Sequence, residues 1–177
     1  DIKGKKLAEE IKRLLNIEVR IRTGVRYDGN FDRQQKFEHA LTAVYGEAPV
    51  DEIYEDDLPA DMMTSNQMLV IESQPGQYDQ RADMAEQCAQ VVIRGSRQRI
   101  KTADIYLFEG FISEHDLSRI KKFLINPVEK REGKLSLPEK LDEQAPAPED
   151  IKILTGFRAC SGEELDKYLT QFGLAMT

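Results

Sequence analysis

One pattern occurs twice in this chain. Residues 27–52 read "YDGNFDRQQKFEHALTAVYGEAPVDE" and residues 107–132 read "LFEGFISEHDLSRIKKFLINPVEKRE". Each passes from a strand end through a glycine and an apolar residue into a helical stripe, then closes on Pro-Val-acid. Gly29 matches Gly110 at an offset of 81, and Pro49-Val50-Asp51 matches Pro127-Val128-Glu129 at an offset of 78, so a three-residue indel separates the copies. The repeat suggests one sheet layer and one helix layer around a single core.

The hydrophobic period gives the elements. Leu7, Ile11, Leu14 and Leu15 recur at helical spacing over residues 3–15. The period then drops to two. Ile17, Val19, Ile21, Thr23, Val25 and Tyr27 alternate with Glu18, Arg20, Arg22, Gly24 and Arg26, the mark of a strand with one buried and one wet face. Phe37, Ala40, Leu41 and Val44 form a second helical stripe. An acidic, irregular loop covers residues 51–66, and "MLVIE" at 68–72 reads as a buried strand. Pro75-Gly76 turns the chain and Asp79 caps a helix whose expected buried face is Ala82, Ala85, Cys88, Ala89 and Val92. Residues 100–109 form another strand. Ser113 with Asp116 resembles a capping box opening the stripe Leu117, Ile120 and Leu124. From residue 132, Pro and charge mark an extended linker. A last short helix follows, with Ser161 and Glu164 as its capping box and Leu165, Tyr168, Leu169 and Phe172 as its apolar face.

The expected fold is therefore α+β. It is a two-layer sandwich of a mainly antiparallel sheet with helices on one face, built from pseudo-twofold βαβα halves. The second half opens with the strand at 68–72. The first half lacks a counterpart, so an upstream strand and a longer parent chain are expected. The domain reading is 1–131 for the duplicated unit and 132–177 for the linker region.

Net charge is −7, and residues 46–66 hold seven acids and no base. Such a chain, without a basic patch interleaved with aromatics, is a poor match to nucleic acid. No apolar run reaches membrane-spanning length, so no membrane partner is expected. Cys88 and Cys160 alone give neither a metal spacing nor a disulfide framework, which points to a reducing, cytoplasmic setting.

Candidate chemistry is sparse. Cys88 sits inside a helix as a small core residue, and Cys160 precedes a cap but has no nearby His. His39 and His115 stand beside acids without a second ligand at metal spacing. No glycine falls in a phosphate-loop pattern. Two groups of charges remain as candidate contacts with neighbouring domains: Arg20, Arg22 and Arg26 on the wet face of one strand, and Asp79, Arg81 and Asp83 around a helix N-terminus.

At "PGQYDQRADMAEQC" (75–88), "INPVEKRE" (125–132) and "GLAM" (173–176), the chain resembles the N-terminal region of the large single-chain phosphoribosylformylglycinamidine synthase family. The resemblance covers essentially the whole chain, less closely in the first half. It implies a small-subunit-like domain made of two fused copies, followed by a linker to a synthetase domain that is absent from this chain. It further implies a parent enzyme that uses ATP, Mg and glutamine to convert formylglycinamide ribonucleotide to the amidine in purine synthesis. The module would brace the synthetase and glutaminase domains, its partners, while ammonia passes between them. The family's catalytic residues belong to those later domains. None maps here, so no catalytic, cofactor-binding or metal-ligating residue is expected in this chain. The alternative is a stand-alone regulatory domain binding a small ligand.

Overall fold

The computed structural model describes residues 1–29, 40–47, 50–60, 62, 66–94, 97–136, 141, 147, 150, 153 and 156–172. The chain divides into two units, Asp1–Ala145 and Pro146–Thr177.

The first unit is α+β. Its elements are α1 (Ile2–Leu15), β1 (Arg20–Gly29), a single wide helical turn at Leu41–Tyr45, β2 (Asn66–Ser73), α2 (Gln80–Ile93), β3 (Ile100–Glu109), α3 (Glu114–Leu124) and β4 (Lys130–Glu132). The four strands form one antiparallel sheet in the order β1-β3-β2-β4. Local chemistry sets the helix ends. Asp1, Asp79 and Ser113 are N-caps whose side chains accept from Gly4, Ala82 and Asp116 backbone N–H groups. Asn16 and Arg94 stop α1 and α2 in the left-handed conformation.

Register assigns the two sheet faces. Ile21 lies opposite Phe108, and Leu69 opposite Tyr106. Side chains directly across an antiparallel pair share a face, so these residues line one side with Ile71. There Ile11 of α1 and Ile120 of α3 meet Ile21, Leu69, Ile71 and the fully buried Phe108 in the main core. α2 packs on the same face, placing Ala82 and Ala85 against Ile100. The opposite face carries a smaller apolar cluster of Val70, Ala103, Ile105 and Leu107, with Met62 and Met68 packed beside it.

Four features of the first unit differ from the sequence reading. Pairing in β1 starts at Arg20, not Ile17; Ile17 is buried in the core outside the ladder. The wet face of β1 is not uniformly wet, since the Arg26 side chain is only 16% exposed. Cys88 is exposed, because the buried stripe of α2 runs Ala82, Ala85, Glu86 and Ala89. The short strand β4 had no periodic signal at three residues. Phe37 and His39 lie outside the described residues.

In the second unit, Phe157–Ala159 forms a tight turn and α4 spans Glu163–Phe172. Phe157 and Tyr168 pack edge to face with centroids 5.9 Å apart. The Ser161 capping box does not form as expected: Glu164 N–H donates to the Ser161 backbone carbonyl at 3.3 Å, and Gly162 takes the left-handed turn before the helix.

Candidate functional site

The two groups of charged residues fall on different parts of the first unit. Asp79, Arg81 and Asp83 surround the start of α2 and are tied inward. The Asp79 carboxylate accepts from Ala82 N at 2.9 Å through one oxygen. Its other oxygen accepts from Thr102 N at 3.2 Å and Thr102 Oγ1 at 2.8 Å. Arg81 donates to Asp104 at 2.6 Å, and Lys130 approaches the same carboxylate at 3.8 Å. Asp83 takes bonds from the Tyr78 hydroxyl, Gln87 and Arg97. The Tyr78 and Arg97 bonds hold its carboxyl below the ordinary range. Arg97 also bonds Glu86 at 2.7 Å, and the buried Glu86 accepts from Ile100 N at 2.9 Å. These charges lock helix to strand.

The turn before α2 has its own partner. Gln74 N donates to Glu129 O at 2.9 Å, Gln74 Nε2 to Pro127 O at 3.3 Å, and Gln77 Nε2 to Val128 O at 3.4 Å. Gln77 of the 75–88 run and Gln74 just ahead of it therefore meet the 125–132 run, about fifty residues away.

Arg20, Arg22 and Arg26 lie on the sheet face opposite the helices. Arg22 pairs with Glu109 at 3.0 Å. Arg26 pairs with Asp28 at 3.0 Å and donates to the carbonyls of Lys134 and Leu135 at 2.7 and 3.3 Å. Gly133 N donates to Val70 O at 2.8 Å, so residues 133–135 cross from β2 toward β1 over this face. Arg20 makes no ion pair among the described residues. Burial pushes the Asp28 carboxyl up, and Arg26 offsets only part of that. Asp28 Oδ1 is buried without a hydrogen-bond partner.

A second relationship joins the two helix–strand units. α1 and α2 each have 14 residues and an aspartate cap. Asp1 Oδ2 accepts from Thr23 N at 2.5 Å and Thr23 Oγ1 at 2.9 Å, the same bracket that Asp79 makes to Thr102. The sequence carries a signal for this that glycine and proline matching misses: Arg20-Ile21-Arg22-Thr23 with Tyr27 aligns with Arg99-Ile100-Lys101-Thr102 with Tyr106. In the ladder, Thr23 pairs with Tyr106 and Tyr27 with Thr102, two like pairs flanking the Val25–Asp104 pair.

Among the described residues no group of three His, Cys, Asp or Glu side chains is placed to hold a metal. His115 is exposed beside Asp116, and Cys160 Sγ contacts Gly156 O at 3.4 Å. No described helix is long and apolar enough to cross a membrane. No protein-family model, curated protein or solved structure matches the chain.

Proposed function

We propose that this chain is the N-terminal, small-subunit-like module and linker of a large single-chain phosphoribosylformylglycinamidine synthase. Its role is to brace the synthetase and glutaminase domains of the parent enzyme. In this reading residues 1–131 are two fused βαβα halves related by a pseudo-twofold axis, the first lacking its opening strand, and residues 132–177 lead toward the synthetase domain. ATP and Mg are held by the later domains, in the cytoplasm. Arg20, Arg22, Arg26, Asp79, Arg81 and Asp83 shape the faces that meet those domains.

The observation that carries the reading is the doubled Asp–Thr bracket with its mirrored Thr–Tyr pairs about Val25 and Asp104. Chance gives a helix cap readily. It does not readily give the same cap, the same strand threonine and the same helix length twice, centred on one cross-strand pair. The bond from Gln77 of the 75–88 run to Val128 of the 125–132 run supports it as well, beside that from Gln74 to Pro127.

The test is reconstitution. The purified chain alone is expected to turn over neither ATP nor glutamine. Added to a parent enzyme truncated of this region, it is expected to restore glutamine-dependent amidine formation. Turnover of either substrate by the chain alone, or failure to bind the truncated enzyme, overturns the reading.

A further inference from the structure

α2 is apolar on two sides. Ala82, Ala85 and Ala89 are buried on its sheet side. Met84, Cys88 and Val91 point the other way, with Met84 53% and Val91 76% exposed. With the exposed Gln87 they follow the i, i+3, i+4, i+7 spacing of one helix face. From Met84 to Ile93 the only charged residue is Glu86, which is buried and held by Arg97. α1 shows the usual outer face of a helix in this chain. Both helices start from an aspartate cap, so positions can be counted from Asp1 and from Asp79. At the fifth, eighth, ninth, eleventh and twelfth residues after the cap, α1 exposes Lys6, Glu9, Glu10, Lys12 and Arg13. The same places on α2 hold Met84, Gln87, Cys88, Gln90 and Val91. All five are charged on α1 and none is on α2. In a chain with 32% charged residues, an uncharged, partly apolar outer face marks a surface that is covered in use.

We propose that this outer face of α2 is a self-association site, and that its occupant is the same face of a second copy. The stripe is symmetric about the midpoint between Gln87 and Cys88, since Met84 and Val91 stand equally far from it. An antiparallel pairing about a twofold axis at that point sets Met84 of each copy on Val91 of the other. No like charges are brought together. Arg81 and Arg94 bound the stripe but lie about 140° apart around the helix, on opposite flanks, so they do not meet across the axis. A charged partner would set its charges against an amide, a thiol and two apolar side chains without a counter-charge, at a net cost. Helices packed about 8–10 Å apart place the two Cys88 Cα atoms roughly 6–7 Å from each other, within disulfide reach. Four side chains cover less than the roughly 800 Å² per partner of a standard interface, so the contact is weak and reversible, with a dissociation constant of about 0.1–1 mM. The comparison of α1 with α2 is a count from two observed caps and stands without the duplicated-half reading.

The experiment uses the full chain carrying Cys160→Ser, so that Cys88 is its one thiol. Sedimentation equilibrium from about 10 μM to 1 mM should show a monomer–dimer equilibrium. Diamide, which takes two electrons and two protons from a pair of thiols, should then trap a Cys88-linked dimer on a non-reducing gel. Met84→Glu sets a carboxylate against Val91 and should slow trapping about tenfold. Moving the thiol to the other flank, with Gln90→Cys in a Cys88→Ser chain, should slow it about as much, because residue 90 lies too far from its mate. Should Met84→Glu not fold, Val91→Lys, at the more exposed position, serves instead with the same expected loss. A chain that stays monomeric at the highest concentration overturns the proposal. So does equally fast trapping through positions 88 and 90, which marks random collision, and so does trapping unchanged by the charged variant. A monomer whose Cys88 is shielded from iodoacetamide only when the truncated parent enzyme is added gives the face to that enzyme, and this also overturns it. The sedimentation and trapping readouts do not involve the parent enzyme, so self-association can fail while the bracing role stands.

Discussion

Val25 stands directly across from Asp104 in the β1–β3 ladder, and each lies two residues after a threonine that donates twice to a helix-capping aspartate. Everything around this pair comes in twos: caps, threonines, tyrosines and 14-residue helices. The two positions themselves differ. Asp104 receives Arg81 and Lys130, while Val25 borders the open edge.

The brackets are testable one bond at a time. Thr23→Val and Thr102→Val each keep the strand shape and remove one hydroxyl donor. Each should cost about 0.5–1.5 kcal/mol in urea unfolding. Asp79→Ala loses the cap as well as both Thr102 bonds and should cost about 1–2 kcal/mol. Equal stability of Thr102→Val and wild type would remove the bracket as a structural device.

Gly4 offers a sign reversal. A methyl group usually stabilises a helix interior relative to glycine, by up to about 1 kcal/mol. Here a Cβ at position 4 would sit 2.0 Å from the Ile21 carbonyl oxygen, because α1 crosses β1 in close contact. Gly4→Ala should therefore destabilise, by about 1–3 kcal/mol, as overpacking does. A higher melting temperature for Gly4→Ala would contradict the close approach.

Glu86 is a buried carboxylate held by Arg97 and the Ile100 backbone N–H. Glu86→Ala strands that N–H and should cost about 1–3 kcal/mol. Glu86→Gln keeps an acceptor for it and should cost less. Chemical denaturation of the two variants side by side gives the order.

Asp28 sets a pH dependence. Its folded carboxyl is raised above the ordinary 3.8 by burial, so the folded state holds the proton more tightly than the unfolded chain. Its contribution is then most favourable near and below 3.8 and is lost as pH rises through the raised folded value. Asp28→Asn should flatten this part of the stability profile. A wild-type curve that rises more steeply than the variant's across this window would contradict the assigned direction.

The two charge groups should respond differently in assembly. Arg20→Gln changes an exposed arginine with no ion pair among the described residues and sets no like charge against Glu109 across the ladder, so it should leave folding within about 0.5 kcal/mol and act on docking to the proposed parent enzyme. Arg81→Ala removes a helix-to-strand bond and should lower stability first. Binding titrations paired with melting curves separate the two effects.

Much of the layout was legible in the sequence because it is local. Period alone bounded β3 at 100–109 and found α1, α2 and α3. Cap chemistry placed Asp79 and Ser113, since a carboxylate or hydroxyl reaches the N–H groups of the next turn wherever the chain goes afterwards. The missed parts are all set across long sequence separations. Strand order, the pairing of β1 with a strand about 80 residues away, and the meeting of Gln74 with Pro127 depend on which surfaces come together. So does the fate of each charge: Asp28 is polar in any window of sequence, and only the folded unit leaves it 5% exposed beside Arg26. Hydrophobic period states which face of an element is apolar. It does not state which other element covers that face, and that choice belongs to the tertiary structure.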